Sequence, residues 1–483
     1  MPAADAPVLV WFRRDLRLTD NPALAVAAAS GRAVICLYVL DESPRVRLLG
    51  GASQWWLDKS LMSLAASLQA IGSRLILRRG DAGEVVREVA GECGAALVSW
   101  NRLYDPGYPE RDGELAAALR ADGLEVVECE GTYLLRPEDV RTKTGRAFSV
   151  FTPFWRTARP LVKVAPATPA PTRLTAPAHR PRSDTLKSWG LHPTQPDWST
   201  GFDWRPGEVD AQALLDQFLT GALDGYALAR DRPGVAGTSR LSAHLHWGEI
   251  GPQQVWRRVQ HAIEHHDAPE SETDKFLAEV GWREFNIGIE ASHGDLSEQH
   301  FDRKFDAFPW RSAPAELEAW RRGRTGYPIV DAGMRQLWTL GWMHNRVRLI
   351  TASFLVKHLL IDWREGERWF WDTLVDADHA NNAANWQWVA GSGADASPFF
   401  RIFNPVTQGE KFDAEGDYIR HWIPELGVLP ASAIHAPWAV APEVMAAAGV
   451  HLGDTYPRPI VDHATARARA LDALRAMRES TAA

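Results

Sequence analysis

Five short β-rich runs, at residues 8–12 (VLVWF), 33–40 (AVICLYVL), 73–80 (SRLILRRG), 95–100 (AALVSW) and 124–131 (LEVVECEG), are separated by stretches of helical character. No other feature constrains the fold as strongly. Strand-type runs alternating with helices predict a parallel five-stranded sheet, an α/β domain. Between the second and third runs, Leu57, Leu61, Leu64, Ala65 and Leu68 recur at helical spacing. Asp20-Asn21-Pro22 offers a helix cap with proline in the first turn. The first run leads into FRRDLRL (12–18), which lacks the glycines that let a dinucleotide-binding turn approach a pyrophosphate. A nicotinamide-type site is therefore disfavoured. Gly391-x-Gly393 follows no strand and reads as a loop.

Prolines crowd residues 153–206, a density that breaks regular structure and suits a long connection. Beyond it the pattern turns helical, as in 213–230, 274–291 and 334–362. The expected organisation is an α/β domain at 1–132, a Pro-rich linker at 133–206 and a larger all-α domain at 207–483. A chain of 483 residues is ample for two packed domains.

Three widely spaced cysteines, Cys36, Cys93 and Cys129, support neither a disulfide framework nor a structural zinc site. No apolar run reaches the ~18–20 residues of a membrane span, and Met1–Pro7 lacks a secretion signal, so a cytoplasmic protein is expected. The net charge of −8 excludes a generally basic coat for nucleic acid but not a local phosphate-binding patch. The 22 tryptophans, against 8 tyrosines, call for an explanation beyond core filling.

Four stretches carry residue types suited to chemistry. In GTSRLS (237–242), Thr238, Ser239, Arg240 and Ser242 gather hydroxyls, a guanidinium and backbone N–H groups before a helix, which suits a phosphate or a simple helix cap. In 276–285, Glu279 and Trp282 share a helix face; they are either surface and core residues or a desolvated acid beside a flat stacked substrate. His344, Asn345, Arg346 and Arg348 interrupt an otherwise core-like run; Asn with Arg suits base edges and phosphates, while pairing with Asp362, Asp376 or Asp378 is the structural alternative. Asp376, Asp378, Asn381, Asn382 and Asn385 precede Trp386 and Trp388, too polar a cluster for ordinary core packing and suited to the rim of a heteroaromatic cofactor. A metal is disfavoured, because the cluster has too few oxygen ligands at close range.

With these residues, the segments 11–24 (WFRRDLRLTDNPAL), 237–250, 282–285 (WREF), 325–370 and 385–413 resemble the photolyase/cryptochrome family over nearly the whole chain. Within it they are similar to the branch that repairs cyclobutane pyrimidine dimers in UV-damaged DNA. The resemblance implies an FAD, bent into a U, that is excited as the reduced anion and passes an electron to a flipped-out dimer. It assigns Tyr226, Thr238, Ser239, Arg240, Leu241, Ser242, Phe276, Arg348, Asp376, Asp378 and Asn382 to the cofactor, with Asn382 facing flavin N5. It assigns Arg230, Glu279, Trp282, Asn345, Arg346 and Trp388 to DNA and lesion, and Trp386, Trp363 and Trp310 to a chain of oxidisable indoles. Glu279 would stabilise the reduced dimer, and splayed lesion bases are cheap to flip.

Asn382, where plant cryptochromes carry Asp, favours repair over signalling. Asn345, where enzymes acting on the (6-4) photoproduct carry His, makes that substrate the weaker alternative. Leu349 departs from the Met of several relatives, an apolar swap of similar volume. A cryptochrome-type photoreceptor is the other alternative, against which stands the short stretch after the last helix near 462–478. An antenna is implied on the α/β domain, with methenyltetrahydrofolate as the expected chromophore, a deazaflavin as its alternative, and Asp41, Glu42 and Asn101 as contacts. The family expectation is a monomer.

Overall fold

Val8–Phe12 (β1), Val34–Asp41 (β2), Leu75–Gly80 (β3), Leu97–Asn101 (β4) and Glu125–Cys129 (β5) form one sheet. All neighbours run parallel, in the order β3-β2-β1-β4-β5. β1 and β4 are buried along their whole length, which is why they read as continuous rather than alternating runs. The crossovers are the helices Pro22–Ala29 (α1), Gly51–Ala70 (α2), Ala82–Cys93 (α3) and Tyr108–Ala121 (α4). As expected, α1 begins at a cap: Asn21 Oδ1 accepts from the Leu24 N–H, with Pro22 in the first turn. The computed structural model describes residues 6–265, 269–396 and 400–482, so part of the motif at 385–413 lies outside the described residues.

The strand order reverses between β1 and β4, a point where α/β sheets open a crevice at their C-terminal ends. Here that end is occupied by paired charges. Arg13 and Arg111 both donate to Asp112, at 2.5 and 2.7 Å, Arg111 also bonds Asp41, and the two guanidiniums flank the Trp11 ring at 4.6 and 5.0 Å.

The chain divides into two compact units. One comprises Met1–Trp198, Trp204–Asp224 and Ser239–Gly294, the other Ser199–Asp203, Gly225–Thr238 and Asp295–Ala483. Besides the sheet, the first holds the helix Glu270–His293 (α6). The Pro-rich stretch is mostly irregular but contains a helix, Phe151–Ala158 (α5), which packs on α6. The approach is close enough that a Cβ at Gly281 would lie 2.5 Å from the Trp155 ring.

The second unit is built from helices, among them Pro328–Leu340 (α7), Asn345–Ser353 (α8), Trp363–Thr373 (α9), His379–Ala390 (α10) and His463–Ala482 (α11). Its core joins Trp320, Val330, Val347, Phe354, Trp363, Phe370 and Trp386. Asp331, fully buried on α7, ties distant segments together. Its Oδ1 accepts from the Thr325 N–H and hydroxyl, and its Oδ2 from the Gly326 N–H and the Tyr456 hydroxyl, at 2.6 to 3.0 Å. No helix among the described residues is long and apolar enough to cross a membrane.

Four donors around one buried carboxylate make that side chain expensive to remove, because each is left unsatisfied. Asp331→Ala is expected to lower the unfolding free energy by about 2–4 kcal/mol; an unchanged urea midpoint would contradict this.

Candidate functional site

The second unit's site is built on α9 and α10. Asp378 opens α10 as its cap, its Oδ1 accepting from the Asn381 N–H at 3.1 Å and from the Asn381 side-chain amide at 2.7 Å. One turn on, the nearly buried Asn382 donates from Nδ2 to the Glu367 carbonyl at 3.0 Å and to Glu367 Oε1 at 2.8 Å. Both amide hydrogens are thereby committed, and Oδ1 is the atom left for a ligand. Trp386, a turn further, fills the space left by a missing side chain: a Cβ at Gly366 would lie 2.1 Å from its ring. Phe370 and Trp320 wall the same indole, with ring centroids at 4.9 and 6.1 Å.

Opposite lies α8, capped by His344, whose Nδ1 accepts from the Arg346 N–H at 3.2 Å. Burial pushes His344 down to about 4, so the imidazole is neutral at pH 7 and Nδ1 keeps its lone pair. Arg348 donates to both oxygens of Asp376, at 2.8 and 3.1 Å, and to the Met343 carbonyl at 2.7 Å. Arg346 pairs with Asp231 at 2.8 Å and lies 4.4 Å over the Phe412 ring. The structural alternative is met as named only by Arg348, through Asp376, whereas Arg346 finds a different acid, Asp231. Asn345, Arg348, Asp376, Asp378, Asn382 and Trp386 line a cavity of about 90 Å³ together with the apolar Leu349, Phe370 and Leu374. A lining that combines amides and carboxylates with apolar side chains suits one edge of a flat heteroaromatic ring.

Elsewhere in this unit, Tyr226 opens a short helix with the Arg230 guanidinium 5.6 Å over its ring, and Thr238 ends the same segment. Trp388 is held by its indole N–H on the Asp395 carbonyl at 3.1 Å. Trp363 is fully buried on α9 and Trp310 is partly exposed; neither lines the cavity.

In the first unit, Arg240 takes a left-handed conformation (φ 51°), with its guanidinium 4.1 Å from the Trp204 ring. Leu241 is buried beside it, and Ser242 begins the short helix Ser242–His246. Behind this turn His244 Nδ1 and Glu249 Oε2 are bonded at 2.5 Å, and the Trp56 indole N–H donates to the same carboxylate at 3.2 Å. On α6, Phe276 is buried 4.6 Å from Phe218, and half-buried Glu279 and Trp282 lie one turn apart. Phe151 covers a face of Trp282, its ring 3.9 Å away and tilted by 7°, and Phe285 meets its edge at 5.5 Å. The indole is therefore fixed in orientation.

The three residues expected at an antenna lie at the C-terminal ends of β2 and β4. Asp41 bonds Ser43 and Arg111, Glu42 pairs with Arg79, and the buried Asn101 donates to Asp15 and Asn21 at 2.5 and 2.9 Å. Sequence reasoning missed Glu367 and Gly366. Their signal was present: both fall in the buried stripe Trp363, Gly366, Glu367, Phe370, where an acid is unusual.

Comparisons with known proteins agree along the chain. The family described as DNA photolyase matches residues 8–173, and the FAD binding domain of DNA photolyase matches 276–476. A deoxyribodipyrimidine photo-lyase of Agrobacterium fabrum is 51% identical over 100% of both chains. Cryptochrome-1 of Arabidopsis thaliana is 38% identical over 98% of this chain and 71% of its own length. The crystal structure of a bacterial class III photolyase from Agrobacterium tumefaciens superposes with a TM-score of 0.95 at 51% identity, covering 98% of each chain.

The Gly366 gap gives a direct test of the site's packing. Gly366→Ala is expected to cost about 1–3 kcal/mol of stability and to shift the tryptophan emission as Trp386 is displaced. Wild-type emission and stability would show that the gap is not needed.

Proposed function

This chain belongs to the photolyase/cryptochrome family, and we propose that it uses light to reverse cyclobutane pyrimidine dimers in DNA. Similarity at 51% identity over the full length of a deoxyribodipyrimidine photo-lyase supports the activity. The structural observation that carries it is Asn382, with its amide hydrogens spent on Glu367 and its oxygen left to the cavity. A neutral acceptor suits a ring N–H, whereas an aspartate would put a charge there.

FAD is the cofactor of the matched domain, and the residues present fit it. Tyr226, Thr238, Ser239, Arg240, Leu241, Ser242 and Phe276 would hold its phosphates and flanking groups. Arg348, Asp376, Asp378 and Asn382 would address the polar edge of the flavin. When bound in its reduced state and excited by blue light, the flavin supplies one electron to the dimer. The protein's own work is to bind and orient. Trp282, braced by Phe151 and Phe285, and Trp388, tied to Asp395, offer ordered apolar walls to splayed bases.

Glu279 and Asn345 give hydrogen bonds to the lesion, and Arg230 and Arg346 meet the DNA backbone. Asn345 cannot act as the acid that a histidine there would be, which favours the dimer over the (6-4) photoproduct. Trp386, Trp363 and Trp310 serve as a relay of oxidisable indoles. An antenna, methenyltetrahydrofolate rather than a deazaflavin, sits on the α/β domain near Asp41 and Glu42. Asn101 joins them as a contact, its Nδ2 held by Asp15 and Asn21 and its buried Oδ1 without a partner among the described residues. The protein acts as a monomer in the cytoplasm.

Repair of a dimer-containing oligonucleotide by reduced protein is expected in blue light and absent in darkness. Equal repair in both would end the light-driven reading, and none in either would favour the photoreceptor reading that the plant cryptochrome match supports. Glu279→Ala should lower repair yield by about tenfold or more with the Kd for lesion DNA nearly unchanged; parallel losses in yield and binding would reduce Glu279 to a binding residue.

A further inference from the structure

The three relay indoles differ in one respect. The N–H of Trp386 and that of Trp310 are buried and meet no acceptor among the described residues. The N–H of Trp363 donates to His300 Nδ1 at 3.3 Å. Both partners of this bond are buried, Trp363 fully and His300 to 3% exposure, with ring centroids 5.7 Å apart. An indole N–H is only a donor, so the bond fixes the tautomer: Nδ1 carries the lone pair and Nε2 the hydrogen.

The surroundings keep this imidazole neutral. Burial, with Arg364 next in weight, holds His300 down to about 4. The charged groups facing it are Asp362 and Arg364 at the start of α9 and Arg303 and Asp306 on the turn Arg303–Ala307. They are already paired with one another, Arg364 with Asp362 at 2.8 Å and Arg303 with Asp306 at 2.9 Å. Among the described residues no carboxylate is hydrogen-bonded to His300, and its basic nitrogen meets the indole N–H.

We propose that His300 is the built-in proton acceptor of the indole relay. The inference rests on the relay reading. Trp363 gives one electron to the oxidised indole of Trp386. Its Nε1–H bond breaks, an Nδ1–H bond forms on His300, and the products are a neutral Trp363 radical and an imidazolium. The one-electron oxidant that starts this sequence is the photoexcited oxidised flavin. When Trp310 supplies an electron to Trp363, the proton returns from His300 and the pair is restored. Loss of an electron makes an indole N–H a far stronger acid, so a neutral imidazole in contact becomes a competent base only at that moment.

Transient absorption of the holoprotein with oxidised FAD tests this, because tryptophan cation radicals and neutral radicals have distinct spectra. In a Trp310→Phe background the hole stops at Trp363, and the neutral radical is expected to form with a solvent deuterium isotope effect. His300→Leu in that background should slow its formation at least about tenfold, and His300→Gln, which keeps an acceptor without basicity, should behave like His300→Leu while retaining the wild-type melting temperature. Lowering the pH toward 4 should suppress the neutral radical in the Trp310→Phe protein, since protonated Nδ1 cannot accept. In the dark, the indole N–H resonance of Trp363, identified by its loss in Trp363→Phe, should move over the same pH range. An unchanged rate in both His300 variants, or a resonance indifferent to pH, overturns the proposal. Photoreduction unaffected by Trp363→Phe would instead overturn the relay reading beneath it.

Discussion

An amide buried between two helices must find partners or weaken the fold. Asn382 finds both of its donors' acceptors on one residue, Glu367, and the rest of the site depends on that pairing. It ties α10 to α9, with Trp386 seated over Gly366 one turn later, and leaves Oδ1 as the amide's uncommitted acceptor. The carboxylates that line the cavity are Asp376, already paired with Arg348, and the cap residue Asp378.

Much of this was legible in the sequence because it obeys local rules. Strands buried on both faces must be apolar throughout, so β1 and β4 stood out. Asn21 announced the first helix by its capping chemistry, and the Asp and Asn cluster before Trp386 was too polar for a packed core. What stayed hidden depends on distant partners. The amide nitrogen of Asn101 is held by Asp15 and Asn21, 86 and 80 positions away, a pairing no local pattern announces. Glu367 reads as a solvent-facing acid in WREGERWF until the buried stripe of α9 is seen. Proline density concealed α5, which is held by tertiary burial of Phe151 and Phe154 more than by local propensity.

Charge composition was a poor guide to where charges act. The motif FRRDLRL is rich in cations, yet Arg17 is buried and donates to the carbonyls of Thr19, Asp20, Gly131 and Gly248 at 2.7 to 3.1 Å. Burial lowers its proton affinity, with nearby Asp15 and Glu208 acting against that trend. Such an arginine works as a peg among backbone acceptors, which suits its planar fork of donors. Gly248 belongs to the same arrangement, since a Cβ there would lie 2.1 Å from the Arg14 carbonyl oxygen.

The stack of Phe151 on Trp282 links helix α5 of the Pro-rich stretch to the proposed lesion wall. An unsupported indole on a half-exposed helix face samples several rotamers, and ordering it on contact subtracts from affinity. With one face already covered, that entropy is lost during folding, before any DNA arrives. If Trp282 walls the lesion as proposed, discrimination between damaged and intact bases is coupled to the rigidity of a segment far away along the chain, and loosening that segment would blur selectivity without touching a residue that meets the base.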